Sequence, residues 1–196
     1  MNLPKPKTGS KHRQLIKKDT SFIHFINNMK HHICTVRFND ETWNENVEFR
    51  KNNPNISCIY SVDSLISSSI ELDSILFVLE MNNDTNKIIG IGMVRNKPFF
   101  KKHNVYKNEK YNEFSYTGKH RIDRKDMNEE EETILKVFDM WCFTGKDHLK
   151  RLKGIKLFPL HKLFECLNVE DFSSFISTMF KKRILLSNHT HHTHQG

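Results

Sequence analysis

The stretch that most constrains the fold lies near the middle of the chain. Residues 74–81, Ser-Ile-Leu-Phe-Val-Leu-Glu-Met, are rich in β-branched and large apolar side chains. Residues 82–86, Asn-Asn-Asp-Thr-Asn, are turn formers, and residues 87–94, Lys-Ile-Ile-Gly-Ile-Gly-Met-Val, return to strand composition. Two such runs joined by a short polar link predict an antiparallel hairpin. Gly90 and Gly92 are two apart and therefore share one face of the second strand. Glycine weakens a strand interior, so the pair implies close approach of another backbone, a barrel corner or a flat floor for a ligand. It is no nucleotide fingerprint, because the third glycine and the following helix are missing.

Strands and helices alternate around this hairpin. A helix is expected from Thr20 or Ser21 to about residue 30, with Phe22, Ile23, Ile26 and Met29 on its apolar face. Cys34, Val36 and Phe38 alternate in one phase, which suits a strand over 33–38. Asp40 is placed as the cap of a helix through residue 52, which Asn53-Pro54-Asn55 ends. A strand over 56–60 and a helical turn carrying Leu65, Ile66 and Ile70 precede the hairpin. Strands near 113–117 and 120–122 follow it. The best helix opens at Asn128 or with the acidic run beside it and runs to about residue 143, with four glutamates in its first turn and Ile134, Val137, Phe138 and Trp141 as its stripe. Gly145 suits its C-terminus. A last strand over 155–158 and helices over 160–167 and 169–182 complete the pattern. It is that of a single α+β domain over 20–186, between a flexible basic arm (1–19) and a disordered, His-rich tail (187–196).

Charge narrows the function. The 196 residues carry 31 Lys and Arg against 23 Asp and Glu, a formal charge of +8, which favours polyanionic partners. The excess is concentrated. Between residues 95 and 125, Arg95, Lys97, Lys119 and Arg121 stand among further cations, interleaved with Phe99, Tyr106, Tyr111 and Tyr116. Cations that meet phosphates beside rings that stack on bases are what single-stranded recognition needs. A second basic segment, residues 146–156, contains Lys150, Arg151 and Lys153. These seven cations are expected to meet phosphates, with Trp43, Tyr111 and Tyr116 as base-stacking rings. The opposing reading of each basic run is a solvated face. Trp141, on a helical stripe, reads as core.

Cys34, Cys58, Cys142 and Cys166 are far apart and show no C-x-x-C pair, so free, mostly buried thiols are expected, in a reducing cytoplasmic or nuclear setting. No h-region opens the chain, and no run approaches a membrane span. No cofactor or metal is expected; the histidines between 189 and 194 are an opportunistic tract without fixed geometry. No catalytic motif of the Gly-x-Ser-x-Gly, P-loop or His-Glu-x-x-His kind is present. The chain has no alanine beside 19 asparagines. Such usage fits an AT-rich genome, for example that of a large DNA virus, and bears on origin rather than function.

The stretch 72–81, Leu-Asp-Ser-Ile-Leu-Phe-Val-Leu-Glu-Met, followed by a turn and Ile-Ile-Gly-Ile-Gly-Met-Val-Arg (88–95), resembles the PUA-like superfamily, in particular EVE and YTH domains. The resemblance implies a small twisted mixed sheet or barrel flanked by helices, which binds RNA or reads a modified base. The expectation is therefore a module for RNA or another single-stranded nucleic acid. Two alternatives stand beside it. One is a protein-interaction or virion structural component that uses its basic face; the other is a nucleic-acid-modifying enzyme. The oligomeric state is left open.

Overall fold

The structure, a computed structural model, describes residues 20–99 and 103–192, with side chains through residue 188. Its centre is the expected hairpin: β3 (Ile75–Asn82) and β4 (Lys87–Arg95) pair antiparallel around the turn at 83–86. On one side, β1 (His32–Phe38) lies parallel to β3, and the short β7 (Lys156–Leu157) closes that edge. On the other, β6 (His120–Asp123) pairs with β4. The sheet order is thus β6-β4-β3-β1-β7. Two further strands, β2 (Cys58–Val62) and β5 (Phe114–Gly118), form a separate antiparallel ribbon. The chain is α+β with a mixed sheet. The described strands do not close into the barrel that the resemblance implies, because β5 pairs with β2 while β6 pairs with β4.

Period-two alternation sorts the two faces of the sheet. Ile33, Phe77, Leu79 and Met81 point to one core, where α3 (Glu129–Phe143) supplies Leu135 and Phe138 and α5 (Phe172–His192) supplies Ile176 and Phe180. Cys34, Val36, Leu76 and Val78 point to the other, against Ile59, Tyr60 and Tyr116 of the ribbon. Both faces of β3 are buried, which is why its sequence reads as an almost unbroken apolar run. Trp141 packs among Phe138, Phe158 and Phe172, as its stripe predicts.

Several local expectations are corrected. The N-cap of α2 (Asp40–Asn52) is Asn39, not Asp40: Asn39 Oδ1 accepts from the Thr42 amide and Thr42 Oγ1 accepts from the Asn39 amide. Asp40 is already helical and its carboxylate accepts from the Asn82 side-chain amide instead. Residues 65–73 form turns rather than a helical turn, held by Asn96 Nδ2 on the carbonyls of Ile70 and Glu71. A first helix, α1, covers 20–27, and α4 spans Leu160–Cys166. The helix α5 is described through His192, into residues expected to form a disordered tail, whose last four, 193–196, lie outside the described residues. The expected basic arm, and two of the further cations of the first basic stretch, Lys101 and Lys102, lie outside the described residues.

Gly90 and Gly92 have a definite cause. A Cβ on Gly92 would collide with the Tyr60 hydroxyl; one on Gly90 would stand 2.5 Å from Arg121 Nη2 and 2.7 Å from Glu80 Oε2. The glycines make room for a buried polar chain, and the floor they form is covered by side chains rather than by a ligand. Tyr60 donates to Glu80 (2.9 Å), and Arg121 donates to Glu80 (2.7 Å from Nη2) and to Asp123 (3.0 Å). Burial and the neighbouring Glu80 carboxylate push the Tyr60 hydroxyl well above its ordinary range. Burial works against the Arg121 charge, but Glu80 and Asp123 outweigh it and raise the guanidinium.

Candidate nucleic-acid interface

Two cavities gather some of the exposed cations and rings. The larger, a cleft of about 700 Å³, opens between the end of β1, the first turns of α2, β2 and the segment 106–111. That segment is a rigid presentation device. Asn112, itself buried, accepts from the amides of Val105 (3.2 Å) and Tyr106 (3.1 Å) and donates to the Tyr106 carbonyl (2.6 Å). Asn108 caps the 3-10 turn Glu109–Asn112. Tyr106 is buried, with its hydroxyl taking a hydrogen bond from Asn46 Nδ2 (3.2 Å), and the half-exposed Tyr111 ring stands edge-on to it at 6.3 Å. Arg37, Lys107 and Lys153 line this cleft together with Glu41, Glu45, Asp63 and Asp84.

The smaller cavity, a groove of about 440 Å³, opens where β4, still paired with β3, runs beyond its ladder with β6. The β4–β6 ladder ends at the Met93–His120 pair. Beyond it β5 turns to β2, and Gly118 crosses so close to the Met93 carbonyl that a Cβ there would collide with it. Ile56, Ile75, Met93 and Val94 give the groove an apolar floor; Arg95, Lys97, Lys119 and His120 stand around it, beside the Phe99 ring. Phe99 is 49% exposed. The groove's lining includes no carboxylate. Arg95 donates one hydrogen bond to the Asp73 carbonyl (2.9 Å), and none of Arg95, Lys97 and Lys119 is in an ion pair among the described residues.

The ten residues expected to touch nucleic acid thus fall into distinct environments. Arg95, Lys97 and Lys119 come together at the groove; Lys153 and Tyr111 come together at the cleft. Arg151 is exposed and Lys150 half-buried, outside both linings; the Lys150 carbonyl accepts from Arg37 (3.1 Å) and Asn83 (3.0 Å), which holds the second basic segment beside the cleft. Three residues are corrected. The side chain of Arg121 is 7% exposed and is committed to Glu80 and Asp123, so it is not offered to a phosphate. Tyr116 is 1% exposed, a core ring whose hydroxyl accepts from the Ile66 amide. Trp43 lines neither cavity: the Arg50 and Arg121 guanidiniums each lie 5.1 Å from its ring centroid, and Phe38 meets it edge-on. Its ring is engaged within the fold.

Sequence reasoning missed Arg37, the cleft carboxylates and the part played by Phe99. The turn pair Asn108 and Asn112 was the available signal for an ordered segment at 106–111. The thiols offer no activated nucleophile in the core: burial pushes Cys34, Cys58 and Cys142 up to about 12. Among the described residues no cluster of metal-ligating side chains forms, and no helix is long and apolar enough to cross a membrane. The fold defines the class, a mixed-sheet α+β domain with two cavities beside its ribbon. Beyond the class, comparison with known protein families, curated proteins and solved structures gives no match.

Proposed function

We propose that this chain is a nucleic-acid-binding module for single strands, RNA favoured, that takes a base into the cleft beside Tyr111. One observation carries this reading: an ordered aromatic ring, cations and hydrogen-bond acceptors converge on one cleft from stretches of chain far apart in sequence. Tyr111 supplies a stacking face. Arg37, Lys107 and Lys153 would meet phosphates at the rim. Glu45 and Asp63 would accept from the exocyclic amines of a base, which phosphate-directed cations cannot read. At about 700 Å³ the cleft lies in the roughly 300–1,000 Å³ range of small-molecule sites, so a nucleoside fits by volume. The resemblance to EVE and YTH domains points the same way and extends the proposal to a modified base.

The test is fluorescence anisotropy with single-stranded RNA, duplex RNA and DNA at low and physiological salt. The proposal expects preference for single strands, a base preference that Glu45→Gln/Asp63→Asn reduces, a loss of affinity in Tyr111→Ala, and weakening as salt rises. A protein partner in place of nucleic acid would show as no binding at low salt together with a copurifying chain.

A further inference from the structure

We infer that the groove between β4 and β5 is a second, separate subsite, which holds the phosphodiester backbone of a single strand and stacks one of its bases on Phe99. This inference rests on the nucleic-acid reading, but on different residues from those of the cleft. The shape of the ligand follows from the lining. Three cations without a carboxylate among them attract an anion, and no ion pair among the described residues quenches them. An apolar floor with a half-exposed ring beside it calls for a flat, weakly polar body attached to that anion. A phosphate joined to a nucleobase has both properties. An acidic peptide has the charge without the flat body, and its carboxylates would leave the Phe99 ring uncovered.

The fold also explains why the groove is open. The β4–β6 ladder stops at Met93, and β5 pairs with β2 rather than with β4, touching β4 only where Gly118 crosses Met93, while Phe99 bridges to Ser115. Ile56, Ile75 and Met93 are left half-buried there, while Val94 beside them is buried. The two cavities lie at the two ends of α2. The cleft takes Glu41, Thr42 and Glu45 from its first turns, and the groove takes Asn55 and Ile56 from just beyond its last. Thirteen helical residues span about 20 Å. A single strand of a few nucleotides can reach from one to the other.

The contrast predicts a division of labour: the groove supplies affinity that depends on salt and not on sequence, and the cleft supplies base preference. The experiment measures binding of uniform single-stranded RNA to the full chain across a salt series, for wild type, Lys97→Gln, the double variant Arg95→Gln/Lys119→Gln, and Phe99→Ala. Each phosphate that a variant no longer neutralises on a single strand lowers the slope of log affinity against log salt by about 0.7. The double variant should lower it by about 1.4 and Lys97→Gln by about 0.7. Phe99→Ala should weaken binding roughly 5- to 150-fold without changing the slope, the range of base–aromatic stacking. These side chains stand at the groove's rim rather than in the core, so melting temperatures should match wild type; Lys97→Gln keeps the test decisive if the double variant melts lower. An unchanged slope in folded variants, or competition by polyglutamate equal to that by RNA, would overturn the inference. If wild type binds no RNA at all, the nucleic-acid reading fails instead, and the two failures are distinct.

Discussion

The groove at Lys119 and the cleft at Tyr111 are built from the same ingredients, cations and rings, in opposite proportions. The groove sets Arg95, Lys97 and Lys119 around apolar side chains with no carboxylate in its lining. The cleft sets Arg37, Lys107 and Lys153 against Glu41, Glu45, Asp63 and Asp84, and one of these pairs, Lys107 with Glu45, already lies at 3.9 Å. A polyanion gains from the first field and gains little net attraction from the second, whereas a base edge with donors gains from the second. The lesson is that the chain's net charge of +8 does not say where an anion binds; the local absence of carboxylates does.

The largest effect would remove both regions at once. Glu80 is almost fully buried against Arg121, and the pair ties β3 to β6 beneath the glycines of β4. Arg121→Ala leaves an uncompensated buried carboxylate, and such losses run to about 3–5 kcal/mol. Chemical denaturation should show a destabilisation of that size; a wild-type midpoint would mean that the pair is not what holds this part of the sheet. Next in size, Tyr111→Ala and Phe99→Ala should each cost about 1–3 kcal/mol of binding to all bases alike, because stacking tolerates any base, whereas Glu45→Gln/Asp63→Asn should reduce the preference among bases. An unchanged base preference in folded Glu45→Gln/Asp63→Asn would erase the distinction between cleft and groove. A smaller loss is expected from Lys150→Glu/Arg151→Glu. These residues stand beside the cleft without lining it, so they act through a screened field and should weaken binding less than Tyr111→Ala does at physiological salt. A larger loss would show that the second basic segment touches the strand directly.

The smallest effect is on pH dependence. His31 and His32 stand at the start of β1, away from either cavity. Burial, then Lys181, holds His31 below its ordinary 6.5, and burial, then His31 itself, holds His32 below it. The unfolded chain binds these protons near 6.5 and the folded chain only at lower pH, so stability is fully present above 6.5 and declines as pH falls through the folded values. Melting temperatures between about pH 7.5 and 5.5 should fall slightly, and less in a His31→Gln/His32→Gln variant, with RNA affinity in the two proteins changing in parallel.

Much of the scaffold was legible because it depends on local pattern. The hairpin turn at Asn82–Asn86, the alternation in β1 and the capping of α3 by Asn128 each follow from residues close in sequence. Arg121 and Tyr116 were misread because their partners are remote. Glu80 is 41 residues from Arg121, and only the order β3-β4-β6 brings them together across Gly90. The clue was Glu80 itself, a lone carboxylate in an otherwise apolar strand buried on both faces, which calls for a polar or charged partner inside the fold. The groove was half legible. Arg95, Lys97 and Lys119 were singled out by charge, but the parting of β4 from β5 that joins them to Phe99 is a property of strand pairing and has no local signature.

The most direct test of the central claim is the salt dependence of wild-type binding to single-stranded RNA, measured by anisotropy beside duplex RNA. Tight binding at low salt that weakens steeply and favours the single strand is the predicted result. Absence of binding at low salt, or equal affinity for single strand and duplex, would contradict it.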